Sequence, residues 1–76
     1  MPTVLRERGF KFFFYSQEGN EPPHIHVEKG DGAAKFWLAP VRLAANEGFK
    51  KPELRAIIEI IEKHEAGLLR AWNEIE

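Results

Sequence analysis

The sequence predicts an α+β domain: a small twisted antiparallel β-sheet of three to five strands with one long C-terminal α-helix packed on one face. Two observations carry this. Phe10–Tyr15, His24–Lys29 and Ala33–Leu38 are short alternating runs rich in aromatic and β-branched residues, separated by turn residues. From Pro52 onward the period changes, and apolar residues recur at helical spacing to the end of the sequence.

Thr3–Glu7 is a short alternating segment that Gly9 interrupts. In Phe10–Tyr15, Phe10, Phe12 and Phe14 share one face, and Lys11, Phe13 and Tyr15 share the other. Ser16–Pro23 reads as a loop, with turn geometry at Gly19-Asn20. The Pro22-Pro23 pair biases the chain toward an extended entry into the next strand. There Ile25 and Val27 point one way, and His24, His26 and Glu28 the other. Gly30-Asp31-Gly32 is a hairpin signal. In Ala33–Leu38, Ala34, Phe36 and Leu38 oppose Ala33, Lys35 and Trp37. Pro40 stops this strand, Val41–Ala45 forms a short edge strand or an irregular crossing, and Asn46-Glu47-Gly48 is a second turn.

Pro52 and Glu53 suit the first turn of a helix. Leu54, Ile57, Ile58, Ile61, Leu68, Trp72 and Ile75 line its apolar face; Arg55, Glu59, Lys63, Arg70 and Glu74 lie opposite. A single helix from Pro52 to Ile75 would be about 36 Å long, enough to overhang the sheet. Gly67 is expected to loosen it without ending it. Glu65 lies near the centre of the stripe with His64 at its margin; water past the overhang is a better expectation for Glu65 than a cation from the sheet.

With 76 residues the chain is one domain, and such a size buries only about 60% of its unfolded surface, so association is a natural source of extra stability. A net charge of −1 argues against general polyanion binding, and the lack of cysteine excludes disulfides and thiolate metal sites. No apolar run reaches the length of a membrane span or a signal peptide, so the expected location is the cytoplasm. No cofactor is expected.

One helix covers one sheet face. The other then carries Lys11, Phe13, Tyr15, His24, His26, Glu28, Lys35 and Trp37, a mixture too aromatic for an ordinary wet surface. The expected binding residues are Lys11, Phe13, Tyr15, Glu21 and Trp37. Residues two apart in a strand start about 6.6–7 Å apart, so His24 and His26 can converge on one ion with Glu28 as a weak third candidate. They can equally act as base and acid on an RNA phosphodiester, with Lys35 or Lys11 stabilising charge and Trp37, Tyr15 and Phe13 stacking bases. The alternation resembles the histidine-triad hydrolases only superficially, because Glu28 replaces the third histidine. The plainest reading makes both histidines half-buried members of a face covered by a second subunit or a partner. Trp72 reads as a core or interface anchor.

The combination of Met1-Pro2-Thr3-Val4, Phe10-Lys11-Phe12-Phe13-Phe14-Tyr15-Ser16, Glu21-Pro22-Pro23-His24-Ile25-His26-Val27, Ala34-Lys35-Phe36-Trp37-Leu38, Glu53-Leu54-Arg55 and a late Trp72 resembles one family end to end. It is the small bacterial domain-of-unknown-function family 4160. The resemblance implies no established activity. It implies a gene beside another small protein of DNA-binding character, as in a toxin–antitoxin pair. The expected function is therefore a protein-interaction module, as a homodimer or with that neighbour's product. A small metal-independent ribonuclease using His24 and His26, or a metal-dependent activity there, is the alternative.

Overall fold

The aromatic runs are realised as one antiparallel meander in a computed structural model that describes residues 3–15 and 21–75. Its strands are β1 (Thr3–Glu7), β2 (Phe10–Phe13), β3 (His24–Lys29), β4 (Gly32–Leu38) and β5 (Val41–Glu47), lying side by side in chain order. The turns explain the order. Arg8 and Gly9 both take positive φ (55° and 83°), the conformation of a two-residue hairpin whose twist suits the flanking strands. Gly30-Asp31 is a second two-residue turn that closes β3 onto β4, here with positive φ (59°) at Gly30 and not at Asp31, and with Lys29 opposite Gly32. The expected turn at Gly19-Asn20 lies outside the described residues.

Face assignment from alternation holds on the core side. Phe10, Phe12, Phe14, Ile25, Val27, Ala34, Phe36 and Leu38 are all buried, against Ile57, Ile61, Leu68 and Trp72 from the helical part. Ile60 joins them on the same apolar stripe. Arg55, Glu59, Lys63, Arg70 and Glu74 are exposed, as expected of the opposite face.

The helical region departs from expectation. It is two helices, α1 (Lys51–Lys63) and α2 (Glu65–Ile75), with the break at His64 (φ −110°, ψ 14°). Gly67 lies inside α2, exposed, with open space around it. The break has a packing reason: a straight helix of about 36 Å outruns strands of about 20 Å. A change of direction at His64 instead brings Leu68 and Trp72 back onto the sheet, where the Trp72 ring meets Phe14 edge-on at 5.6 Å. The junction stays hydrogen-bonded, with the His64 N–H donating to Ile60 O and Ile61 O at 3.2 and 3.1 Å.

Two further differences lie before the helices. β5 is a full edge strand to Glu47, so the expected turn at Asn46-Glu47-Gly48 begins only at Gly48. The Asn46 side chain then brackets Phe49, donating to its carbonyl at 3.0 Å and accepting from its N–H at 3.2 Å. That places the Phe49 ring in the core, edge-on to Phe10 at 5.8 Å and over Gly32. A Cβ at Gly32 would stand 2.6 Å from the ring, so the position requires glycine. At α1 the Lys50 N–H donates to Glu53 at 3.0 Å, half of a capping box. Among the described residues, no helix is long and apolar enough to cross a membrane.

Candidate functional site

Pro22 and Pro23 lead directly into β3, and Pro23 O already accepts from Leu38 N at 3.0 Å. The first side chain of the strand is His24. Its Nδ1 lies 3.0 Å from Pro22 O; a carbonyl only accepts, so Nδ1 carries the proton. Glu21 Oε1 is 3.6 Å from the same nitrogen.

Alternation assigns His24 to the open face, but its side chain is fully buried. The reason is α2: Trp72 folds across the end of the sheet to 4.9 Å from the imidazole, while Trp37 and His26 stand edge-on at 5.8 and 5.2 Å. Period-two parity gives the face, since His24 pairs with Trp37 and its ring meets His26, but it does not reveal that another element wraps this end and covers the imidazole. His24 is thus a polar member of the core.

His26, one step further along β3, stays half-exposed. Its cross-strand neighbours are Phe13 on β2 and Lys35 on β4. The imidazole stacks on Phe13 at 5.7 Å with 22° between planes and meets Tyr15 edge-on at 4.4 Å. Phe13, expected as a surface binding residue, is buried beneath this cover, with the Lys11 ammonium 5.5 Å from its ring. The open face therefore presents His26 and Tyr15 on an aromatic floor.

Lys35 lies over the half-buried Trp37 ring at 4.8 Å and pairs with exposed Glu21. Glu21 thus reaches both Lys35 and the His24 nitrogen, joining the loop to the sheet at one carboxylate. Glu28 is the register partner of Lys11, toward the far end of β3. It does not join the two histidines: among the described residues, no three His, Asp or Glu side chains come together as a metal-binding set. For acid–base chemistry, the arrangement leaves one imidazole open to solvent rather than two.

A second cluster escaped the sequence reading. Glu7 at the end of β1 accepts from Lys63 at 2.9 Å and meets His64 Nε2 at 3.0 Å. These hydrogen bonds hold its carboxyl below the ordinary value of 4.5. Beside it runs a groove of about 410 Å³ between β1 and α2, with Val4, Leu5, Leu68 and Ala71 among its lining residues. Glu65, half-buried in the first turn of α2, sits one residue past this contact, in which His64 meets the sheet.

Fold and site together define a small α+β protein: a five-stranded meander with both helices on one face and an aromatic, lysine-bearing surface on the other. Residues 9–73 match the family described as a domain of unknown function (DUF4160), and the chain belongs to that family. No curated protein and no solved structure gives a significant match to the chain.

Proposed function

We propose that the protein is an interaction module whose docking surface is the open sheet face around Tyr15, His26, Lys35 and Trp37. Its partner is the small protein of a neighbouring gene, in a cytoplasmic toxin–antitoxin-like pair, as the resemblance implies. The observation that carries the reading is that the helices pack against the opposite face and reach the open one only where Trp72 covers His24, leaving half-exposed Trp37 and His26 and exposed Tyr15 uncovered. Tryptophan and tyrosine rings are among the side chains that dominate protein interfaces when desolvated. The Lys35–Glu21 pair and the buried Phe13 beneath His26 pre-position them, which lowers the ordering cost of binding.

The burial of His24 weighs against a ribonuclease that needs two accessible imidazoles. Lys35, one of the two expected charge stabilisers, is already paired with Glu21.

Co-expression with the neighbouring gene, followed by affinity capture and titration of the purified pair, tests the proposal. Wild-type protein is expected to form a complex, and Trp37→Lys to weaken it by at least about tenfold while the circular dichroism spectrum is kept. Equal binding by Trp37→Lys, or RNA cleavage by purified protein that His26→Ala abolishes, would overturn it.

A further inference from the structure

The outer edge of β5 is the least protected part of the sheet. Six of its seven residues, Arg42 to Glu47, are exposed, and Leu43 keeps 44% of its surface. The strand contains neither proline nor lysine; its edge devices are a single bulge and the charges of Arg42 and Glu47, which are of opposite sign. As the last strand in the order it has no outer strand partner among the described residues.

The register of β5 also decides which side chains share a face. Ala44 is an extra residue between Leu43, which pairs with Phe36, and Ala45, which pairs with Lys35. In an unbroken strand, residues five apart point to opposite faces. The bulge cancels that offset. Arg42 pairs with Trp37 and Glu47 with Ala33, so both lie on the open face, while Leu43 and Asn46 share the helix side.

We propose that β5 pairs antiparallel with β5 of a second copy, about a two-fold axis between Ala44 and Ala45, joining the two sheets into one. In this register Arg42 of each copy faces Glu47 of the other on the same side of the joined sheet. Leu43 meets Asn46 on the reverse, and the two alanines allow close approach at the axis. Slipping by one residue sets open-face side chains against helix-side ones and separates Arg42 from Glu47. The dimer leaves Trp37 and His26 uncovered and places two open faces on one side of the assembly. The surface is thus distinct from the one that binds the partner protein.

Sedimentation equilibrium of the full chain over a concentration series is the test. Wild type is expected to approach twice 8.8 kDa. Arg42→Glu and Glu47→Arg are each expected to weaken self-association at least about tenfold, because each sets like charges opposite one another. The double variant is expected to regain wild-type association. Within one chain the two residues are roughly 16 Å apart, too far for the rescue to arise inside a monomer. A wild type that stays monomeric throughout, or a double variant as dissociated as the singles, would overturn the proposal. So would a dimer that Trp37→Lys dissolves and Arg42→Glu does not. Monomeric Arg42→Glu that still captures the partner protein would show the two surfaces acting separately.

Discussion

Glu7 and His64 are 57 residues apart in sequence and 3.0 Å apart in space, and their contact joins the first strand to the point where the helix breaks. Lys63 approaches the other carboxylate oxygen at 2.9 Å, so a single side chain on β1 receives both residues of the junction. The contact ties β1 to the junction from which α2 carries Trp72 back onto the sheet.

Replacing Glu7 by Gln removes the charge from this contact. The folded-state carboxyl is depressed below 4.5, so its contribution to stability is fully present above that pH. It is lost as the pH falls through the lower folded value. Wild type is therefore expected to exceed Glu7→Gln in urea midpoint at neutral pH, with the two curves converging in acid. Lys63 is 61% exposed, so the gap is expected to be modest and to shrink with added salt. Urea titrations across pH and at two salt concentrations measure it.

Gly32 and Phe49 form a second dependent pair. Alanine at 32 places a Cβ 2.6 Å from the Phe49 ring, and the backbone there belongs to the paired strand β4, which has little freedom to yield. Gly32→Ala is expected to cost about 1–3 kcal/mol from overpacking. Phe49→Ala is expected to cost about 3–5 kcal/mol through the cavity it leaves. In the double variant the Gly32 cost should nearly vanish, giving a coupling that a double-mutant cycle by urea denaturation reads directly.

Most of the sheet was legible because its signals are local. Phe12, Ile25 and Phe36 alternate within short runs, and glycine marks the β1–β2 and β3–β4 turns, so neighbouring residues determine most faces and connections. The long-range features were not legible. Phe49 follows a turn and belongs to no periodic run; its burial depends on the Asn46 bracket and on a cleft opened by Gly32. The helix break lies against Glu7, which no spacing rule connects to His64. Because the break redirects Trp72, the same omission hid the burial of His24. The exposure expected of that face is therefore found at its centre, at His26, Lys35 and Trp37, and not at its end or in its floor, where His24 and Phe13 are buried.

Gly67 gives a prediction of the opposite sign. It sits in the interior of α2, exposed, with no atom near the position of an added Cβ. Its conformation is helical, so alanine fits without strain and reduces the freedom of the unfolded chain. Gly67→Ala is expected to stabilise the protein by about 0.5–1 kcal/mol. A higher thermal midpoint with an unchanged spectrum would be the readout, and destabilisation would mean that α2 needs flexibility at this turn.

The two histidines of β3 should separate in the same kind of experiment. His24 is fully buried among Trp72, Trp37 and His26, and its Nδ1–H satisfies Pro22 O. His24→Ala removes a packed ring and leaves that carbonyl without its donor, for an expected loss of about 2–4 kcal/mol. In so small a domain that is a large share of the whole stability. His26 lies half-exposed above Phe13, and His26→Ala is expected to cost no more than about 1 kcal/mol, mainly by uncovering that ring. The functional readout should run the other way. His26→Ala, still folded, is expected to weaken partner binding directly, whereas His24→Ala acts only through the folded fraction. Binding measured at a temperature where both variants are folded distinguishes these routes: there His24→Ala should regain near-wild-type affinity, and His26→Ala should not. If His24→Ala instead stays as stable as wild type yet loses binding, the side chain is a ligand of the partner, and its place in the core is wrong.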